Sequence, residues 1–351
     1  MRKLLLAFSL FTIHYSLSAQ QNGFTNKAEA KNVKNSNGDK DGKWLEYMDT
    51  AYGTPDDSTR PFYKLTVYDS GKPSGLVRWY YKSGKIYMEI PYSYGKKNGT
   101  QKEYYENGKL MSEYVYVDDM RNGTTKHYYE NGNLKSEWPY TNDNVNGIQK
   151  MYYDNGAIEW TVPYTDGKGE GVGKKYYQNG NLKWEEPYKN DKMNGLVKGY
   201  SENGKLTSEN TYVDGKRNGV CKEYSENNKL ITEDIYLDGK LNGLCKEYSA
   251  SGKLSYERNY TNGVKDGWVK QYYENGKVEN EWPYTNGTKN GEMKGYYESG
   301  ALKWIIPYKN DKEDGMEKEY YENGKLKIET PYTDGDAGVT RKFDDDGSEI
   351  K

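Results

Sequence analysis

A period of 24 residues restricts what this chain can fold into. Gly75, Gly99, Gly123, Gly147, Gly171, Gly195, Gly219, Gly243, Gly267, Gly291 and Gly315 follow one another at that spacing without a slip. Counting each glycine as position 0, a Tyr stands at +5 (Tyr80 to Tyr320) and Ile, Leu or Val at +11 (Ile86 to Leu326). Another Tyr stands at +17 (Tyr92 to Tyr332). Such a period marks a repeat architecture, in which each repeat buries its apolar surface only against its neighbours.

The repeat is too short for two helices. It holds short β-favouring runs divided by Asn-Gly, Asp-Gly or Ser-Gly, the pattern of a β-hairpin. One strand reads like "TQKEYY", the tip "ENG", the return strand "KLMSEYVY", and a turn like "DGKRNG" leads onward. Pro91, Pro139, Pro163, Pro187, Pro283, Pro307 and Pro331 precede the +17 Tyr. Proline lacks a ladder donor, so each is expected at a strand end or a solvent-facing position. At the tip, a type I turn with a glycine bulge requires positive φ only at +9. That position is Gly in every regular repeat except one, where Asn228 stands, while Ser83, Ser251 and Ser299 replace the residue before it.

This register places Leu110 opposite Tyr104 and puts Tyr104, Leu110 and Tyr116 on one face. It also predicts Trp268 opposite Trp282, and Lys150, Lys174 and Lys294 opposite Trp160, Trp184 and Trp304, within cation–π reach. The expected fold is all-β: an elongated single antiparallel sheet of tandem 24-residue hairpins. About 12–13 repeats, each adding two strand spacings, predict a rod on the order of 110–130 Å.

The ends of the array are irregular. Gly42, Tyr47, Phe62 and Tyr68 fit a first repeat with an insert within residues 48–61, and Gly338 and Phe343 open a truncated last one. The array is therefore read as 42–351. Residues 21–41, polar and rich in Asn and Lys, read as a linker. Residues 1–20 read as an export signal: Arg2 and Lys3, then "LLLAFSLFTI", then "SLSAQ" with cleavage near Ala19 or Gln20. The expected location is outside the cytoplasm, in the periplasm, the cell envelope or the medium.

Only 34% of the chain is apolar, yet 15% is aromatic, with Tyr and Gly at 39 each. Tyrosine buries a large ring while its hydroxyl finds a partner, so it can build a thin, half-wet core. Loss of Arg2 and Lys3 takes the formal charge from −2 to −2 − 2 = −4, which argues against nucleic acid as a partner. Cys221 and Cys245 occupy equivalent places in adjacent repeats, roughly 10 Å apart and beyond disulfide reach. They read as free thiols that pack as small apolar groups.

No motif for a catalyst or cofactor stands out. His127 is the one histidine outside the export signal and reads as a strand residue. The recurring Glu at +14, from Glu89 to Glu329, gives each carboxylate the same surroundings, whereas glycoside hydrolysis needs two different ones. That column reads as a solvated face. The basic residue at +3, from Arg78 to Lys318, reads as a stem packed on Tyr with its amine in water. The acidic clusters at Asp143 to Asn146 and Asp344 to Asp346 lack a calcium-loop signature. No metal or cofactor is expected.

Laid out at its period, "GTQKEYYENGKLMSEYVYVDD" resembles the MORN-repeat variant family, most nearly the bacterial subgroup labelled YwqK-type antitoxin proteins. The resemblance covers about residues 42–351. It implies a non-enzymatic array of hairpins associated with protein scaffolding and with membrane lipid, and it supplies no catalytic residues. The leading expectation is an exported scaffold for protein–protein or cell-envelope interaction. Alternatives are a polysaccharide-binding protein whose Trp160, Trp184 and Trp304 stack on sugar rings, an antitoxin or immunity-type protein, and a binder of anionic membrane. Lys150, Lys174 and Lys294 complete the candidate interaction surface. Departures from the pattern are the first-repeat insert, Ser201, Ser225 and Ser249 at +6 in place of Tyr, and Asn228.

Overall fold

The computed structural model describes residues 23–48 and 61–350. Residues 1–20, the expected export signal, and 49–60, which hold most of the expected insert, lie outside the described residues. The chain divides into two blocks, Met1–Lys168 and Gly169–Lys351. Each is a run of antiparallel hairpins, so the fold class is the all-β hairpin repeat that the period dictates.

One repeat serves for all. Gly99–Tyr104 pairs with Leu110–Val117, which pairs with the two-residue strand Met120–Arg121 and then with Gly123–Tyr128 of the next repeat. The tip is the expected one. Gly108 N donates to Tyr105 O (2.8 Å) and Tyr105 N to Lys109 O (2.9 Å), closing a type I turn with a glycine bulge. Position +9 alone takes positive φ, 87° at Gly108 and 58° at Asn228. The link between repeats is a two-residue turn with positive φ at both residues, such as Asp118 (50°) and Asp119 (73°), as a type I′ connection requires.

The register is as expected at the tip and different beyond it. Tyr104 faces Leu110, but Glu103 faces Ser112, so Met111 is an extra residue on the return strand. A β-bulge of this kind moves every later pair by one. Trp268 therefore faces Pro283, and Val269 faces Trp282. Lys150 faces Thr161, Lys174 faces Glu185 and Lys294 faces Ile305, while Trp160, Trp184 and Trp304 face Met151, Lys175 and Gly295. Because side chains alternate across a strand, Tyr116 lies on the opposite face from Tyr104 and Leu110. The positions +1, +3, +5, +11, +14 and +16 share one side, here called the lysine face. Positions +2, +4, +13, +15 and +17 share the reverse face.

The bulge also explains the prolines. Pro91 lies inside Ile86–Ser93 rather than at its end, and its carbonyl accepts from Asn98 N. Its ring packs over the next repeat glycine: a Cβ on Gly99 would come within 2.9 Å of Pro91 Cγ, and one on Gly195 within 3.0 Å of Pro187 Cγ. With φ at 115° and 123°, these glycines are required both by backbone conformation and by the ring above them.

The N-terminal segment read as a linker packs on the first hairpins. Val33–Lys34 pairs with Lys40–Met48, and Phe24 is 5% exposed among Leu65, Tyr80 and Tyr63. Cys221 and Cys245 are free and buried on the reverse face.

Candidate functional site

The lysine face is a ladder of three side chains. The +5 Tyr hydroxyl donates to the +14 Glu of the preceding repeat: Tyr104 to Glu89 (3.1 Å), Tyr128 to Glu113 (2.9 Å) and Tyr152 to Glu137 (2.8 Å) in the first block. Tyr224 to Glu209 (2.9 Å) and Tyr296 to Glu281 (2.8 Å) repeat it in the second. The same Glu faces the +3 Lys of its own hairpin, as in Lys222–Glu233 (3.4 Å) and Lys174–Glu185 (3.4 Å). The glutamates are thus half-buried structural acceptors rather than a solvated face, and the lysine column is charge-compensated. Burial, and then the bond to Glu, push the Tyr128, Tyr152, Tyr224 and Tyr296 hydroxyls up to about 12.

The +6 Tyr binds repeat to repeat. Its hydroxyl donates to the backbone carbonyl of the +5 Tyr one repeat on: Tyr105 to Tyr128 O (2.7 Å), Tyr129 to Tyr152 O (2.7 Å), Tyr273 to Tyr296 O (2.7 Å) and Tyr297 to Tyr320 O (2.8 Å). Ser201, Ser225 and Ser249 cannot span this distance. Ser201 and Ser225 instead accept from Lys205 N and Lys229 N within their own tips.

The predicted site residues separate onto two faces. Lys150 sits 3.6 Å from Glu137 and Lys294 3.2 Å from Glu292 on the lysine face. Trp160, Trp184 and Trp304 are half-buried on the reverse face. The Trp184 ring covers Gly199 and the Trp304 ring covers Gly295, where an added Cβ would meet the indole at 2.4 Å and 2.2 Å. The cation–π pairs join other residues. Lysines at the bulge lie over the +6 Tyr rings, as in Lys183–Tyr177 (4.9 Å to the centroid) and Lys303–Tyr297 (5.5 Å).

The lysine face carries a feature that composition hides. Position +1 is apolar and exposed in several repeats: Ile148 (55%) in the first block, and Val172, Leu196, Val220, Trp268 and Met316 (40%) in the second. These residues stand at one repeat position, with one flank the +16 residue opposite, such as Pro187 or Pro283. Alternation alone could have found them, because +1, +3 and +5 stand on one strand ahead of either bulge. In the first block the equivalent Leu76 is partly covered, because a Cβ on Gly23 would lie 2.4 Å from its carbonyl oxygen. Arg78, at +3, donates to Phe24 O (3.4 Å), and Lys43 lies over the Phe24 ring (5.4 Å).

The sequence model of the MORN repeat variant family matches residues 73–94, 97–118, 121–142, 169–190, 193–214, 217–238, 241–262, 265–286, 289–310 and 313–334. The chain belongs to the MORN repeat variant family. Residues 145–166 fall between matched segments, and Gly147–Tyr152 and Ile158–Thr165 there form the same hairpin. No curated protein matches the chain. Among solved structures it is similar to a chain of the TcdB2-TccC3-Cdc42 crystal structure at 12% identity and a TM-score of 0.17, covering 84% of this chain and 19% of that one. It is similar also to a chain of the Photorhabdus luminescens Tc holotoxin pore at 12% identity and a TM-score of 0.16, covering 87% and 20%. The chain thus spans about a fifth of the length of these structures.

Proposed function

We propose that this MORN-repeat chain is a non-enzymatic, exported interaction scaffold that docks a protein partner on its lysine face. The exposed apolar residue at +1, repeated on one face, is the observation that carries this reading. Repeats place such residues roughly 10 Å apart, two strand spacings, so a partner can gain from several weak contacts at once. The chain's own residues 23–24 supply a precedent, since Gly23 lies against Leu76 at +1 and Phe24 packs beside it on Leu65 and Tyr80 of the same face. Lys174, of the proposed surface, belongs to this face, and Trp184 then acts as a packing residue over Gly199. Compensation of the lysines by glutamate weakens attraction to an anionic membrane relative to an unpaired cationic stripe. Export to the envelope rests on residues 1–20, and the antitoxin label rests on resemblance alone.

The test compares the intact protein with a variant carrying Val172→Asp, Leu196→Asp and Val220→Asp in pulldowns from envelope extract. These positions are exposed, so folding should be unaffected and the circular dichroism spectrum unchanged. A partner enriched by the intact protein and lost from the variant supports the reading. Equal enrichment by both would move the docking surface elsewhere, and no enriched protein by either would sink the scaffold reading.

A further inference from the structure

The reverse face of the first block holds a cavity of about 200 Å³, several water volumes at ~30 Å³ each. It opens on the side of its own hairpins opposite their +1 and +3 residues and has a different chemistry. Its floor is Val77, Trp79, Met88 and Ile90, all at most 6% exposed and packed as one cluster. Tyr68 and Tyr92 stand at its sides, with Lys64 and Lys97 beside them.

Three groups in this wall lack a full set of partners: Thr66 Oγ1, which is buried without a hydrogen bond, Trp79 Nε1 and the Lys97 ammonium. Trp79 Nε1 is buried and has no hydrogen-bond acceptor, and an unmet buried donor costs on the order of 1–3 kcal/mol. Lys97 has no carboxylate within ion-pair distance among the described residues. Its ammonium reaches Gln101 Oε1 (3.1 Å) and lies over the Tyr116 ring (4.7 Å). The nearby carboxylates stand beyond ion-pair distance of the ammonium and hold other donors: Asp119 accepts from Lys97 N (2.7 Å) and Glu103 from Gln101 Nε2 (2.9 Å). Burial pulls the Lys97 ammonium below its usual range, by more than the Asp119 and Glu103 carboxylates raise it. Lys64 differs, because Glu46 neutralises it at 2.9 Å while also taking Lys40 and the Tyr68 hydroxyl (3.1 Å).

We propose that this cavity binds a small organic carboxylate with an apolar body, its carboxylate on Lys97 and its body against Val77, Met88 and Ile90. An inorganic anion would leave the apolar floor unmatched. An organic amine would meet the Lys97 charge. A sugar would turn hydroxyls toward a floor with few acceptors.

Phenylacetate serves as the probe, titrated calorimetrically into the intact protein, with benzylamine and sodium phosphate as controls. The structure predicts saturable binding of phenylacetate at one site and none of the two controls. Lys97→Met should weaken phenylacetate about tenfold or more, the scale of one charge-assisted hydrogen bond. Lys96→Met, at the exposed neighbour, should leave it unchanged. If Lys97→Met disturbs the circular dichroism spectrum, Lys97→Gln replaces it in the same titration. Benzylamine binding as tightly as phenylacetate, equal affinity in the Lys97 variant, or no binding at 10 mM phenylacetate (~two orders above a 0.1 mM site) would each overturn the assignment.

Discussion

At the residue scale, the 24-residue phrase is written by hydroxyls as much as by apolar area. A +5 Tyr brings a ring to the lysine face and a hydroxyl to a half-buried carboxylate whose other partner is the +3 Lys of its own hairpin. The sign of its titration follows. Unfolded tyrosine titrates near 10, whereas Tyr128, Tyr152, Tyr224 and Tyr296 are pushed up to about 12 by burial and then by Glu. Their contribution is fully present below about pH 10 and is lost as pH rises toward about 12. Urea denaturation at pH 8 and pH 11 should therefore show a marked loss at the higher pH, and Tyr128→Phe should shrink that loss. The same variant should cost about 1 kcal/mol at pH 8, one hydrogen bond. A Tyr128→Phe protein with undiminished alkaline loss would contradict the ladder. The thiols make a second check. Burial pushes Cys245 up to about 11 and raises Cys221 as well, so both should react slowly with a disulfide reagent in the native protein and fast in urea.

At the scale of the element, the tip was legible in the sequence and the second bulge was not. Positive φ has a chemical signature, and Gly108 or Asn228 at +9 carries it. The bulge at Met111 has none, because its residue varies among Met, Lys, Glu, Thr, Ile, Ser and Tyr from repeat to repeat. What fixes it is partnership across repeats, since only the shifted register brings Lys102 and Glu113 side by side. For the same reason the sequence pointed to Trp160, Trp184 and Trp304 but assigned them to the wrong face relative to the lysines; the +1 stripe, on the same strand as +3 and +5, needed no bulge to be seen. The link turn carries a further device. Where Asp replaces Gly at its second residue, the carboxylate caps a turn one repeat back: Asp119 to Lys97 N (2.7 Å), Asp143 to Arg121 N (2.9 Å) and Asp311 to Lys289 N (2.8 Å). Asp311→Ala should lose about 0.5–2 kcal/mol in urea unfolding, the range for a lost side-chain cap. Asp311→Gly should lose less, because glycine relieves the positive φ of 66° there. An Asp311→Ala protein as stable as the parent would show that the cap contributes nothing.

At the scale of the whole molecule, a repeat array is only as cooperative as its weakest interfaces. Within the second block the bonds between repeats are unequal. Tyr273, Tyr297 and Tyr321 each donate to a carbonyl one repeat on, while Ser201, Ser225 and Ser249 leave three successive interfaces without that bond. Each missing bond is worth about 0.5–1.5 kcal/mol. The lysines just past each tip do not even out the difference, because Lys205, Lys229 and Lys253 reach the next repeat much as Lys277 does. Local opening should therefore concentrate at the serine-bearing repeats. In hydrogen–deuterium exchange, the strand amides of residues 206–248 should exchange faster than those of residues 278–333. Replacing all three serines by tyrosine should slow exchange in the first segment and leave the second nearly unchanged. Uniform protection along the block, or a triple variant with unaltered exchange, would mean that the tyrosine-to-carbonyl bonds do not set the stability of the interfaces they span.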